Sequence, residues 1–356
     1  MPTRDELSAA VEQGIIDADQ AEKLSAFLAA RGGDNAWDAP SLALTETEDV
    51  RFARGFHDIF MTVGVVLLFA GLAVVAGATE SFATVFGASA ALAWALAEFL
   101  TARRRLVLPS IALAICFVAL LVLTVAAAIA GNQVSEVLAT PNYVTIIALG
   151  TALVGALLFF TRFRLPFAVG LAGAVGVVLV LAIVKLAAPD FMDSHTQLIL
   201  LACGIAAFMA AMAFDLSDPG RKTLRADNAF WLHLLAAPLL VHTIISYVPF
   251  REGGGSTLSG AMAVIGVISV LALVALLVDR RALLVAGLSY FAAALTVLIQ
   301  STQFKSEMVL ATTLLILGAG VIALGAGWRP VRRLIFKTLP LPKGFLEKLP
   351  PVAAHA

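Results

Sequence analysis

Charged side chains are scarce in this sequence. Only 13% of its 356 residues are Asp, Glu, Lys or Arg, whereas about a quarter is usual in soluble domains. At the same time 60% of the residues are hydrophobic and the mean hydropathy is +0.96. A water-soluble fold is therefore excluded, and the composition predicts an all-α, polytopic membrane protein.

Residues that carry familiar chemistry are equally few. The two cysteines, Cys116 and Cys203, lie within apolar runs, so neither a disulfide framework nor a zinc-binding spacing is present. The sequence contains no glycine-rich phosphate loop, no His-Glu-x-x-His and no Gly-x-Ser-x-Gly, and its five histidines are scattered. We therefore predict no catalytic residue, no metal site and no cofactor, with an intramembrane hydrolase as the alternative.

The neutral net charge conceals an uneven distribution. Residues 1–49 contain eleven acidic and three basic side chains, a net charge of −8, so the remainder carries +8. Basic residues interleaved with aromatics are confined to membrane-flanking segments, which argues against nucleic-acid binding. We expect the basic loops to contact anionic lipid headgroups, and the acidic segment to dock on those loops.

The N-terminal segment has the pattern of a small helical hairpin. Thr3 with Glu6, and Asp17 with Gln20, are capping boxes, and Gly14 between them is a helix stop. These signals predict a cytoplasmic hairpin over 1–32, followed by an acidic linker over 33–57 that leads into the membrane. Because the polar start lacks the pattern of a cleavable signal peptide, we expect the first span to direct insertion.

The rest of the chain reads as a transmembrane domain over 58–327. Apolar runs near 20 residues, the length that crosses a bilayer, predict ten spans: 58–77, 81–102, 107–130, 141–161, 166–187, 195–214, 228–248, 257–278, 282–300 and 307–327. Residues 328–356 then form a basic-aromatic interfacial segment and a proline-rich cytoplasmic tail.

Orientation follows from the basic residues of the short loops, which stay in the cytoplasm during insertion. Alternate loops hold almost all of them, and with an even number of spans both termini are cytoplasmic. The basic loop residues are Arg103, Arg104 and Arg105, then Arg162 and Arg164, then Arg221, Lys222 and Arg225, then Arg280 and Arg281.

These basic clusters recur at a fixed interval. Arg104, Phe163, Lys222 and Arg281 are each 59 residues apart. Four tandem helical hairpins related by an axis along the membrane normal would give this spacing. The alternative is that any two spans with their loops use about 60 residues.

Several motifs resemble those of a known family. Gly14-Ile15-Ile16, Gln20-Ala21 and Leu24 begin the pattern, and Trp328-Arg329-Pro330 with Arg332-Arg333 ends it. Together with the acidic linker and about ten spans, they resemble an uncharacterised family of bacterial multi-spanning inner-membrane proteins. The resemblance implies a bacterial inner membrane but no activity and no catalytic residue.

The seventh predicted span is the most polar. It carries five candidate site residues, because polar groups inside a bilayer are costly and often mark functional sites. A straight helix places four of them within about 60° of one another, and His233 on another face. The candidates are Asp227, Trp231, His233, Pro238 and His242.

Two functions fit these residues. A helix broken at Pro238 and carrying imidazoles is typical of a transporter or channel for a small solute or ion. The alternative is a scaffold or sensor that recruits a partner through its N-terminal hairpin, with the histidines joining helices by hydrogen bonds. Glu98, Asp58 and Lys185 are interpreted as structural charges near span ends.

Overall fold

The computed structural model describes residues 11, 13–14, 16–31, 56–79, 81–248, 258–285, 287–301 and 306–338. Within these ranges the regular structure is entirely helical, which confirms the predicted all-α class. The helices are α1 (Ala18–Arg31), α2 (Phe56–Gly77), α3 (Phe82–Ala97, extended by a π-helical turn over Glu98–Arg103), α4 (Val107–Ala130), α5 (Val134–Ala139), α6 (Tyr143–Phe163), α7 (Phe167–Ala187), α8 (Pro189–Ser217), α9 (Leu224–Ser246), α10 (Leu258–Val278), α11 (Ala282–Val285), α12 (Leu288–Gln300) and α13 (Ser306–Thr338).

The chain divides into two units, and α1 belongs to the smaller, N-terminal one. Its start is the second predicted capping box: the Asp17 N–H donates to Gln20 Oε1 at 3.2 Å and the Gln20 N–H donates to Asp17 Oδ1 at 2.7 Å. Gly14 has the left-handed φ of 69° expected of a helix stop. The first capping box, Thr3 with Glu6, and residues 33–55 of the linker predicted over 33–57 lie outside the described residues.

The larger unit contains the membrane spans. Nine of its described helices are long and apolar enough to cross a bilayer: α2, α3 with its π-helical turn, α4, α6, α7, α8, α9, α10 and α13. Large apolar side chains such as Leu67, Leu315 and Ile322 are exposed on their outer surfaces, as lipid contact requires. The chain is therefore a multi-pass membrane protein.

The ninth predicted span, 282–300, is two helices. Its longer piece, α12, has 13 residues and a length of about 20 Å, short of the roughly 30 Å hydrocarbon layer. Helix α12 ends where Ile299 packs on Val309 near the start of α13. Helix α13 then returns Trp328 to the loop after α10, where its Nε1 donates to Asp279 Oδ1 at 2.6 Å.

Two other spans differ from their predicted bounds. Helix α13 continues past 327 and through Pro330 to Thr338, so the predicted interfacial segment begins as helix. Helix α8 starts at Pro189, but His195 has non-helical angles (φ −129°, ψ 21°) and kinks it where the sixth predicted span begins.

The four basic loops share one backbone feature. Each contains a residue with positive φ: Arg105 (53°), Arg164 (53°), Arg221 (50°) and Asp279 (59°). A left-handed residue commonly ends a helix, although glycine usually occupies the position. Successive members are 59, 57 and 58 residues apart, close to the period seen in the sequence. The duplication of a hairpin itself stays a prediction.

Burial is greatest around α9, which is more enclosed than the other eight long helices described. The first half of the unit has one continuous core, in which Trp94 packs on Phe117 and Phe163 with ring centroids 5.2 and 5.1 Å apart. The second half has smaller apolar clusters on α9, one around Val241 and another around Ala237. Buried charged groups contact α9 nearer its start, at His233 and at the Ala226 carbonyl.

Candidate functional site

A buried ionic cluster joins α8, α9 and the loop between α10 and α11. Asp215, near the end of α8, accepts hydrogen bonds from His233 of α9 and from Arg280 of the loop. The exposed fractions of these residues are 5%, 0% and 2%, so the three groups are enclosed by protein. We call Asp215, His233 and Arg280 the buried triad.

Arg280 binds two elements at once. Its Nε donates to Asp215 Oδ2 at 3.2 Å, a terminal nitrogen donates to Oδ1 of the same carboxylate, and that nitrogen also donates to the Ala226 carbonyl at 3.0 Å. A two-point guanidinium–carboxylate pair offsets part of the cost of taking both charges out of water. Arg280 is therefore fixed between the end of α8 and the start of α9.

His233 has one nitrogen engaged and one unbonded. Its Nε2 lies 2.8 Å from Asp215 Oδ2. Because the carboxylate paired with Arg280 is ionised and can only accept, Nε2 must carry the hydrogen. In a neutral ring Nδ1 is then a bare acceptor, and it is buried without a hydrogen-bond partner among the described residues. The ring of Phe208 lies edge-on, 5.3 Å away between centroids.

A second ionic cluster is centred on Asp279, the residue directly before Arg280. Its Oδ2 is 3.2 Å from Arg221 and 3.6 Å from Arg332, and its Oδ1 accepts from Trp328. Arg221 also donates to the Val278 and Asp279 carbonyls, both at 2.9 Å. The loop that carries Arg280 is thus held from α13 and from the α8–α9 connection.

The α8–α9 connection is ordered by Asp218. Its Oδ2 accepts from the Thr223 N–H at 2.8 Å and hydroxyl at 2.7 Å, and its Oδ1 accepts from the Lys222 N–H at 3.2 Å. Burial acts to raise the pKa of Asp218, but the hydrogen bonds and the nearby charge of Arg225 outweigh it and lower that pKa below its usual value.

The five residues singled out in the sequence do not meet at one point. His233 is a member of the buried triad, whereas Trp231 packs on Phe167 of α7 with their ring centroids 4.8 Å apart. His242 hydrogen-bonds through Nδ1 to the Tyr290 hydroxyl of α12. Asp227 is half-buried and Pro238 is exposed.

Glu98 and Lys185, two of the three charged residues to which a structural role was assigned, form ion pairs. Arg162 is 2.6 Å from Glu98, with 52% and 35% of the side chains exposed, and Lys185 is 2.6 Å from Asp193 at the opposite end of the unit. For Asp58, the basic residue one turn earlier in the sequence, Arg54, lies outside the described residues.

Sequence reasoning missed Asp215 and Arg280 as site residues. The predicted sixth span ended at 214, and Arg280 was assigned to a loop because of its charge. A signal was present: Glu98 and Arg162 are 64 residues apart, and Asp215 and Arg280 are 65 apart. An acidic residue and an arginine therefore recur in the same relation about two hairpin lengths later.

Other proteins offer no guide to this site. Comparison of the chain with protein-family models, with curated proteins and with solved structures finds no match. Among the described residues, no three His, Cys, Asp or Glu side chains are grouped so that they could hold a metal ion. The chemistry of the site is therefore inferred from its own contacts.

Proposed function

We propose that this membrane protein transports a small solute or ion, with the buried triad as its working site. The observation that carries the proposal is the placement of three ionisable groups inside the bundle while His233 Nδ1 is left unbonded among the described residues. Ionisable side chains inside membrane proteins are expensive, and they commonly mark ion pathways and proton relays.

The position of Arg280 supports movement as well as binding. It precedes α11 and α12, the two pieces of the broken ninth span. Broken helices commonly line transport sites and take part in rocking motions. A change in the Asp215–Arg280 pair would therefore act directly on the start of the broken span. His242 and Tyr290 form a further contact between α9 and α12.

The distribution of basic residues supports a cytoplasmic location for the arginine loops, and the family resemblance noted in the sequence implies a bacterial inner membrane. Glu98–Arg162, Arg221–Asp279 and Trp328–Asp279 contacts tie these loops together at one end of the unit. That end also carries the positive charge suited to anionic headgroups.

Transport requires water or solute to reach the middle of α9. Ala236 and Ala237 follow His233 by about one turn and are 0% and 1% exposed. We would replace Cys116 and Cys203 by Ala, introduce A236C or A237C, and apply a membrane-impermeant thiol reagent to protein in sealed vesicles. V270C is the matched control, because Val270 is 62% exposed on the outer face of α10 near mid-membrane.

Labelling of A236C or A237C, with V270C protected by lipid, is the expected result. Protection of both alanine positions, in protein whose cysteines react after denaturation, would mean a dry bundle. That outcome would contradict transport and favour the scaffold or sensor function.

A further inference from the structure

We propose that the ion moved by this protein is the proton, and that Nδ1 of His233 takes it up. This inference rests on the proposed transport function and names its substrate. Nε2 of His233 donates to Asp215, which leaves Nδ1 as a lone-pair acceptor inside the protein. A proton satisfies such an acceptor without needing space for a larger ligand.

The charges around the ring suit reversible proton binding. Asp215 faces His233 from α8, Arg280 from the α10–α11 loop and Arg221 from the α8–α9 connection, while Asp227 lies on α9 itself. Asp215 stabilises an imidazolium, and the two arginines oppose it. Burial of the ring also opposes the imidazolium, so Asp215 is the group that makes proton uptake at Nδ1 possible and the other influences favour its release.

The step involves one new bond. A hydronium ion gives its proton to Nδ1, so one O–H bond breaks, one N–H bond forms, and the products are water and an imidazolium. The imidazolium then competes with Arg280 for the single carboxylate of Asp215, which weakens the contact that fixes the loop before α11. Movement of that loop allows Nδ1 to release the proton toward the opposite side, after which Asp215 and Arg280 re-form their pair.

The test uses the full-length protein in liposomes that contain a pH-sensitive dye. A potassium gradient with valinomycin sets a membrane potential, and the rate of internal pH change is recorded for wild type, H233Q and H57Q. H233Q keeps a side chain that can donate to Asp215 but cannot carry the proton. H57Q is the matched control, because His57 is exposed at the start of α2 and belongs to none of the contacts of the buried triad.

Wild-type vesicles should carry a proton flux that H233Q lowers by about 100-fold, the range expected for losing a positioned proton carrier, while H57Q stays near wild type. H233A with equal imidazole on both sides should recover part of the flux, which a purely structural histidine would not allow. Absence of flux in wild type, or equal flux in H233Q, overturns the proton assignment. Labelling of A236C or A237C in the same protein would then leave transport standing with another ion or solute.

Discussion

Arg280 donates two hydrogen bonds to the carboxylate of Asp215 inside the protein, where Arg280 is 2% exposed and Asp215 is 5% exposed. The comparable pair of the first half, Arg162 with Glu98, has one contact at 2.6 Å and is largely open to solvent. The acidic members are 117 positions apart and the arginines 118. Both halves thus pair an acidic residue with an arginine at a similar sequence separation, and of these two described pairs the second is buried and joined by a histidine.

These two pairs should differ sharply in their effect on stability. D215N leaves Arg280 and His233 buried beside a neutral amide, so we expect a loss of about 3–5 kcal/mol. E98Q removes a solvated pair and should cost less than about 1 kcal/mol. Unfolding of the purified protein in detergent micelles, followed by circular dichroism, measures both. Equal losses would mean that the burial of Asp215 and Arg280 is not retained in solution.

The sequence was sufficient for the helical class and for most spans, because apolar length alone determines what crosses a bilayer. It was insufficient for the break within 282–300, since that segment is as apolar as its neighbours. The stripe from Asp227 to His242 assumed an isolated straight helix, whereas each side chain faces whichever neighbour packs there. His233 meets α8, Trp231 meets α7 and His242 meets α12. Those tertiary contacts are not encoded in the period of one helix.

Asp279 should contribute strongly to stability, because its one carboxylate pairs with Arg221 and Arg332 and accepts a hydrogen bond from Trp328. D279N keeps a short polar side chain that tolerates the positive φ at this position, so its effect reports the lost charge. We expect a loss of about 1–3 kcal/mol, since charged hydrogen-bond partners are left unmatched. D193N, which breaks the exposed pair with Lys185, is the control and should cost under about 1 kcal/mol. If D193N lowered stability as much as D279N does, the three contacts of Asp279 would contribute no more than an exposed ion pair.

The broken ninth span should still cross the membrane. Arg281 lies in the loop beside Trp328, with its guanidinium 5.4 Å from the indole centroid, whereas Ser301 follows the far end of α12. In a cysteine-free background, R281C and S301C should react with an impermeant thiol reagent from opposite sides of sealed vesicles. R104C marks the arginine side and should match R281C. Reaction of S301C from that same side would mean that α11 and α12 re-enter without crossing, and the C-terminus would then lie opposite to its proposed location.

Helix α7 provides a test of how closely α9 is held beside the triad. A methyl group at Gly170 would lie 2.9 Å from Trp231 Cβ and 3.3 Å from the Trp231 carbonyl oxygen, whereas one at Gly176 has no neighbour within 4 Å. G170A must push α9 away, and overpacking of this kind costs about 1–3 kcal/mol. G176A should be neutral or stabilising by up to about 1 kcal/mol, because alanine favours helix.

Both glycine variants add one methyl to the same helix, so the difference between them isolates the α7–α9 contact. Trp231 is two residues from His233, and displacement of α9 should also lower proton flux in G170A while G176A keeps it. Detergent unfolding and the liposome assay measure the two effects on the same preparations. If G170A lowered stability without changing flux, the geometry of His233 would tolerate a shift of α9, and the positioning of its ring by Asp215 and Arg280 would alone govern proton uptake.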